Sequence, residues 1–143
     1  LAILPDAFME LVCCMLALVA GPKKSSASSY KEAMFERFCE ALRTHACDPD
    51  FDQSIFAKEQ GLSPRTIQST FSSAGTSFKE KLLSMRMEKA RWFLDDPRYD
   101  KKSITEIARY LGYQHPSHFS THFRQAFGTS PDLYRKNLRA SNS

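Results

Sequence analysis

The chain has 143 residues, 42% of them hydrophobic, and a formal net charge of +4 at pH 7. This length allows one domain or two very small ones, and the composition excludes a disordered chain because it supplies a compact core. The charge is uneven: residues 60–143 carry fourteen Lys and Arg against seven Asp and Glu, whereas residues 30–59 carry four against seven. We therefore expect an anionic partner to bind the C-terminal part of the chain.

Residues 1–20 show apolar side chains at alternating spacings of three and four. This pattern predicts a helix that packs on another helix, either in the same molecule or in a second copy as a dimerisation helix. The apolar positions are Leu1, Leu4, Phe8, Leu11, Met15 and Leu18. Residues 21–29, which begin with Gly21 and Pro22 and are rich in serine, are predicted to form a flexible linker.

The N-terminal segment does not have the properties of a membrane span or a secretion signal. Its apolar run, residues 11–20, is about half the length that a bilayer span needs. Asp6 and Glu10 precede the run, where a signal peptide carries positive charge. The four cysteines, at positions 13, 14, 39 and 47, form no C-x-x-C pair. We expect reduced thiols, a cytoplasmic protein and no membrane partner.

From Tyr30 onward the apolar spacings are helical, and no stretch alternates as a strand would, so the predicted fold is all-α. Prolines at 49 and 97 interrupt the pattern. One arrangement occurs twice, in FAKEQGLSPRTIQSTFSSAGTSFKEKLLSMR and EIARYLGYQHPSHFSTHFRQAFGTSPDLYRKNLR. The matching pairs are Ala57 and Ala108, Gly61 and Gly112, Phe71 and Phe123, and Gly75 and Gly128. Such agreement indicates an internal duplication, with one copy in each of two subdomains, 30–75 and 96–143, joined by a linker helix, 76–95.

Each copy has the organisation of a helix-turn-helix, in which a helix stops near a glycine and a second helix follows a short turn. In the second helix of the first copy, the inward positions are predicted to be Ile67, Phe71 and Ala74. In the second helix of the second copy, they are Phe119, Phe123 and Ala126. The outward positions are Arg65, Gln68, Ser69 and Ser72, and Ser117, Ser120, Thr121 and Arg124. One such polar face could simply be solvated. Two equivalent faces without a carboxylate, in the basic part of the chain, favour contact with a DNA major groove.

The predicted linker helix has apolar residues at Leu83, Met87, Ala90 and Leu94 and would be about 27 Å long over roughly 18 residues. A spacer of this length can place two recognition helices in successive major grooves, which are about 34 Å apart. Basic and hydroxyl side chains on or near it are candidates for phosphate contacts: Ser72, Lys79, Lys81, Arg86, Lys89, Arg91 and Arg124. For Arg86 and Lys89, helix packing and salt links are an equal alternative.

Three of the four histidines, His115, His118 and His122, lie close together in the second copy. A metal-dependent hydrolase would need an acidic base or nucleophile beside them, and the motif contains none. We expect His115 at the start of the second recognition helix, with Pro116 in its first turn. His115 and His122 are predicted beside the core line and His118 on the flank. No catalytic residue, metal or cofactor is predicted.

Residues 34–139 resemble the DNA-binding domain of the AraC/XylS family of bacterial transcription regulators. The match is most specific at Ile104, Ile107, Ala108, Gly112, Tyr113, Ser117, Phe119, Phe123, Phe127, Gly128, Pro131, Tyr134 and Arg135. The first copy matches at Ala57, Ser63, Arg65, Gln68, Phe71, Gly75, Phe78, Arg86 and Ala90. The resemblance implies base contacts from Arg65, Thr66, Gln68 and Ser69, and from Pro116, Ser117, Ser120 and Thr121. The family commonly has arginine where this chain has Ser69 and Thr121, which leaves Arg65, Gln68 and Arg124 as the long polar side chains.

The resemblance also implies partners. Double-stranded promoter DNA is the main one, with RNA polymerase as a protein partner. Family members carry an N-terminal domain that binds a small-molecule effector or dimerises, and residues 1–20 resemble the last helix of such a domain. We therefore expect this chain to be the C-terminal part of a longer regulator, whose operator and direction of regulation stay open. The alternative function is a protein-interaction module whose basic face binds an acidic partner.

Overall fold

A computed structural model of the chain describes residues 26–143, within which there are seven α-helices, one short 3₁₀ helix and no strand. The prediction of an all-α fold is confirmed, whereas the predicted helix at 1–20 lies outside the described residues. The helices are α1 (Ser26–His45), α2 (Gln53–Gln60), α3 (Pro64–Ser73), α4 (Phe78–Asp95), α5 (Ile104–Tyr110), α6 (Pro116–Phe127) and α7 (Pro131–Ser141), and the 3₁₀ turn is Pro97–Tyr99. None of these helices is both long and apolar enough to cross a membrane.

Helix α1 begins inside the segment that we predicted to be a linker. The prediction was wrong for residues 26–29. This segment contains only serine and alanine, and the helix-breaking Gly21 and Pro22 lie several positions before it, so nothing in it prevents a helix. Ser28 donates a hydrogen bond to Glu32 one turn later, at 3.3 Å. The helical part of the chain therefore includes serines whose composition alone suggested a loop.

The buried side chains form two hydrophobic cores that share helix α4. The first core joins α1, α2 and α3 to the first half of α4, and the second joins α5, α6 and Tyr113 to its second half. Phe78, Leu82 and Met85 belong to the first core, and Met87, Ala90, Phe93 and Leu94 to the second. The linker helix is 18 residues long, as predicted. It is not a free spacer, however, because almost every turn of it is buried in one core or the other.

The repeated Gly-Thr-Ser motif has the same local structure in both copies. Its serine is the N-cap of the next helix, α4 in the first copy and α7 in the second. The Oγ atom of Ser77 accepts a hydrogen bond from the backbone N–H of Glu80 at 3.2 Å, and that of Ser130 accepts one from Leu133 at 3.3 Å. An N-cap serine satisfies a backbone donor that the helix itself leaves unpaired. Each copy of the duplication is therefore a unit of three helices whose third helix starts at this serine.

Helix α7 is held against α4 by a phenol. The hydroxyl of Tyr134 donates a hydrogen bond to Oδ1 of Asp95 at 2.7 Å, and its ring centroid lies 5.5 Å from that of Phe123. Burial of the phenol and its hydrogen bond to the Asp95 carboxylate raise the pKa of Tyr134 to about 12. The neutral phenol is thus favoured by the folded state.

Replacing Tyr134 with phenylalanine is expected to lower the free energy of unfolding by about 1–2 kcal/mol at pH 8, because a hydrogen bond to a charged group is lost. The folded pKa of Tyr134 lies above its ordinary value of 10.0, so the stabilisation is full below pH 10 and disappears as the pH rises towards 12. Urea unfolding of the two proteins at several pH values should show that the difference between their free energies of unfolding becomes smaller as the pH rises. Tyr110→Phe controls for the loss of a tyrosine, and a difference that stays constant up to pH 12 would contradict the assignment.

Candidate nucleic-acid interface

Helix α3 is anchored at its start and by its buried side. Ser63 is its N-cap and accepts a hydrogen bond from the backbone N–H of Thr66, and Pro64 is the first helical residue. The side chain of Gln53 donates to the Pro64 carbonyl at 3.1 Å and so ties α2 to the first turn of α3. Sequence reasoning missed this role of Gln53, because a half-buried amide at a helix start carries no periodic signal.

Two fully buried side chains, Ile67 and Phe71, fix the rotation of α3 in the first core. The four predicted outward residues are all exposed: Arg65, Gln68, Ser69 and Ser72. The predicted inward position of Ala74 was wrong, because α3 ends one residue earlier and Ala74 is an exposed C-cap. Thr70 is buried in its place, and its hydroxyl donates to the Thr66 carbonyl at 2.9 Å. Helix α3 therefore presents one polar face to solvent.

Helix α6 packs on the second core and likewise presents a polar face to solvent. Phe119 and Phe123 are fully buried, as predicted. Of the predicted outward residues, Ser117, Thr121 and Arg124 are exposed, and Ser120 is half-buried. Pro116 is the first helical residue, as predicted. Ala126 is exposed, so its predicted inward position was wrong; the core is already closed on this side by the half-buried ring of Phe127, 4.6 Å from Phe123 between centroids.

Two hydroxyls on these faces are already engaged within the protein. The hydroxyl of Thr121 donates to the Ser117 carbonyl at 3.0 Å, and that of Thr66 shares a hydrogen bond of 2.9 Å with Ser63. A threonine whose hydroxyl bonds its own helix offers mainly its methyl group and a spare lone pair. Such a methyl group suits the methyl of thymine better than it suits a hydrogen-bonding base edge.

The two faces also share an electrostatic property. Neither α3 nor α6 contains an Asp or Glu residue, whereas each contains an exposed arginine, Arg65 and Arg124. Phosphate and base edges of DNA are rich in acceptors, so a carboxylate on such a face would repel them and a guanidinium would attract them. Each face is therefore suited to contact an acceptor-rich polyanion.

The histidines of the second copy have separate surroundings. Nδ1 of His122 lies 3.0 Å from the hydroxyl of Tyr113. Burial lowers the pKa of His122, and nearby His118, Lys79 and Arg86 act in the same direction. Burial raises the pKa of Tyr113 to about 12, so the phenol stays protonated and shares this hydrogen bond with the imidazole. His122 is thus a positioning contact for α6.

His115 and His118 lie at the start of α6, with ring centroids 5.4 Å apart. Both are exposed, so the prediction that His115 lies beside the core line was wrong. His115 is the N-cap residue, but its side chain makes no capping hydrogen bond. Between residues 26 and 143, no three His, Cys, Asp or Glu side chains are grouped where they could hold a metal ion.

The predicted phosphate contacts divide into free and engaged side chains. Ser72, Lys79, Lys89 and Arg124 are exposed, and Lys81 is half-buried. The guanidinium of Arg91 lies 5.7 Å from the ring centroid of Phe127. Arg86 donates from Nε to the Ala46 carbonyl and from Nη2 to the Asp48 carbonyl, each at 2.7 Å. Of the two roles that the sequence left open for Arg86, the structure therefore shows packing, and we withdraw it as a phosphate contact.

Known proteins share this arrangement. A family model for a helix-turn-helix domain, of AraC type, matches residues 56–137. The chain is 32% identical over 112 residues to the transcriptional activator NphR of a Rhodococcus species, covering 78% of this chain and 32% of that protein. It is 31% identical over 131 residues to the HTH-type transcriptional activator RhaR of Pectobacterium atrosepticum, covering 89% and 45%. The chain thus spans less than half the length of these relatives.

A solved structure extends the likeness to a complex. The DNA-binding domain of AdpA, a global transcriptional factor, was crystallised with a target DNA. It superposes on this chain with a TM-score of 0.65 at 26% identity, covering 75% of this chain and 94% of that domain. The overall fold of this chain therefore also occurs in a domain that has been crystallised with DNA.

Proposed function

Because the chain belongs to the AraC-type helix-turn-helix family of DNA-binding transcription regulators, we propose that it binds one bipartite DNA site, with α3 and α6 in successive major grooves. The observation that carries this proposal is the pair of carboxylate-free polar faces at equivalent positions of the duplication. Helix α4, which has 18 residues and is about 27 Å long, is shared by the two units that carry these faces. That length is compatible with two grooves one helical turn apart, about 34 Å along the duplex.

The polar side chains of α3 and α6 differ in length, and we assign their contacts accordingly. Arg65 and Gln68 on α3 are exposed and long enough to reach base edges, where arginine suits guanine and glutamine suits adenine. On α6, Arg124 is the long donor, and Ser117, Ser120 and Thr121 are short. We assign Ser69, Thr66 and Pro116 to close van der Waals or hydroxyl contacts at the same faces. Ser72, Lys79 and Lys81 are assigned to phosphates, which position the protein without reading sequence.

The regulatory consequence rests on the relatives. NphR and RhaR are both named as transcriptional activators, and activation is the direction of regulation that we propose, in the cytoplasm and with RNA polymerase as the protein partner. The proposal contains no catalytic step. A small-molecule effector domain and dimerisation through residues 1–20 stay predictions from the sequence.

The test is selection of this chain on random duplex DNA at near-physiological salt, followed by sequencing of the bound pool. We expect two short motifs whose centres are separated by about one helical turn. Affinity for the selected duplex should fall steeply with salt, and scrambling either motif should weaken binding. Binding without any enriched sequence would contradict the proposal, and a chain that bound no DNA but retained an acidic protein would support the alternative module.

A further inference from the structure

The two helix-turn-helix units contact each other at a second place besides α4. We name residues 46–52, between α1 and α2, the bridging loop. Ala46 and Phe51 in this loop are buried in the first core, whereas Cys47 packs against the second. A short segment with side chains in both cores resists rotation of one unit relative to the other about the axis of α4.

Arg86 binds the bridging loop from the middle of α4. It lies between Met85 of the first core and Met87 of the second. Its guanidinium donates to two carbonyls of the loop, those of Ala46 and Asp48, each at 2.7 Å. Charged donors at this distance make strong hydrogen bonds, and the planar fork of arginine fixes their directions. Arg86 therefore holds the loop in one position on α4.

The second unit meets the same loop and the same arginine. Gly112, in the turn before α6, packs so closely that a Cβ atom there would lie 3.0 Å from the Cys47 carbonyl oxygen and 3.1 Å from the Pro49 nitrogen. The guanidinium of Arg86 lies 6.0 Å from the ring centroid of Tyr113, and the Tyr113 hydroxyl bonds His122 on α6. A continuous chain of contacts thus runs from the bridging loop to the second recognition helix.

We propose that Arg86 is a positioning residue that fixes the orientation of α3 relative to α6 and thereby selects the spacing between the two half-sites. This inference rests on the proposed function. Each base pair added between half-sites moves one of them by about 3.4 Å along the duplex and about 35° around it. A protein whose two units are clamped cannot follow that change, whereas a protein whose units are joined by α4 alone can follow it by bending or twisting of α4 between Met85 of the first core and Met87 of the second.

The test compares binding to duplexes that carry the two selected half-sites at centre separations varied in steps of one base pair. The unchanged protein should lose about tenfold or more in affinity for each step away from one preferred spacing. Arg86→Met keeps the apolar stem and removes both donors, and it should reduce this loss to about threefold or less. Its affinity for duplexes with a single half-site should stay within about twofold, because neither recognition face is altered.

Two further variants separate orientation from stability. Ile107→Val lowers stability in the second core without touching the clamp, so it should keep the spacing profile of the unchanged protein. Arg86→Lys keeps the charge but lacks the planar fork, and it should broaden the profile even if Arg86→Met fails to fold.

The outcomes are distinct. Folded Arg86 variants with the unchanged spacing profile would overturn the inference while leaving the proposed function intact. An unchanged protein that enriches no bipartite site would overturn the proposed function and the inference with it.

Discussion

The Gly112→Ala protein is expected to be about 2–5 kcal/mol less stable than the unchanged one. Gly112 has φ +86°, a left-handed conformation that costs other residues about 1–2 kcal/mol. The added methyl would also meet backbone atoms of Cys47 and Pro49 at 3.0–3.2 Å, and overpacking of this kind costs about 1–3 kcal/mol. Because the obstructing atoms are backbone, no side-chain rotation can relieve the contact.

The duplication supplies the matched control. Gly61 is the equivalent glycine of the first copy, and it has φ +65° with no atom within 4 Å of an added Cβ. Gly61→Ala should therefore cost only the conformational part, about 1–2 kcal/mol. Urea unfolding followed by circular dichroism measures both losses. Equal losses at the two positions would mean that the bridging loop yields to the methyl group and does not press firmly on the second unit.

The Arg65→Ala protein is expected to bind its selected site about 1–3 kcal/mol more weakly and to lose preference at one base position. Arg65 is exposed in the first turn of α3, where the N-terminal residues of a recognition helix approach base edges. Arginine donates two hydrogen bonds to guanine, and alanine can donate none, so the four bases at that position should become nearly equivalent.

Binding to a set of duplexes that differ only at single positions separates base reading from phosphate contact. Arg37→Ala removes the same charge from an exposed position of α1, outside both recognition helices, and should leave every base preference unchanged. A uniform loss across all duplexes for Arg65→Ala, with a shallower dependence on salt, would assign Arg65 to a phosphate and remove it from the base-reading set.

Much of the fold could be predicted from the sequence because its determinants are local and periodic. The spacing of Leu83, Met87, Ala90 and Leu94 predicts α4, and the repeated alanine, glycine and phenylalanine positions predict two similar units. The exposed faces of α3 and α6 follow from the same periodicity, because the buried Ile67, Phe71, Phe119 and Phe123 leave only one side free. The errors at Ala74 and Ala126 lie at the C-terminal ends of the two helices: Ala74 follows the last residue of α3, and Ala126 is exposed because the ring of Phe127 closes the core there.

The contacts between the two units could not be predicted in this way. Arg86 has the sequence pattern of a basic residue on a helix surface, and only the return of residues 46–48 to α4, 38 to 40 positions away, engages its guanidinium. The hydroxyls of Thr66 and Thr121 likewise appeared free to read bases. Their hydrogen bonds to Ser63 and Ser117 depend on side-chain rotamers that residue type does not determine.

The unlike faces of α3 and α6 give the bound complex a direction. A symmetric dimer reads two identical half-sites and binds its operator equally well in either orientation. Here the face of α3 offers Arg65 and Gln68, whereas that of α6 offers Arg124 together with serine and threonine, so we expect the two ends of the site to differ in sequence. Reversing such a site turns the whole protein around on the duplex. Any surface that meets a neighbouring protein would then point away from the gene, so inverting the site in front of a promoter should abolish regulation while leaving affinity unchanged.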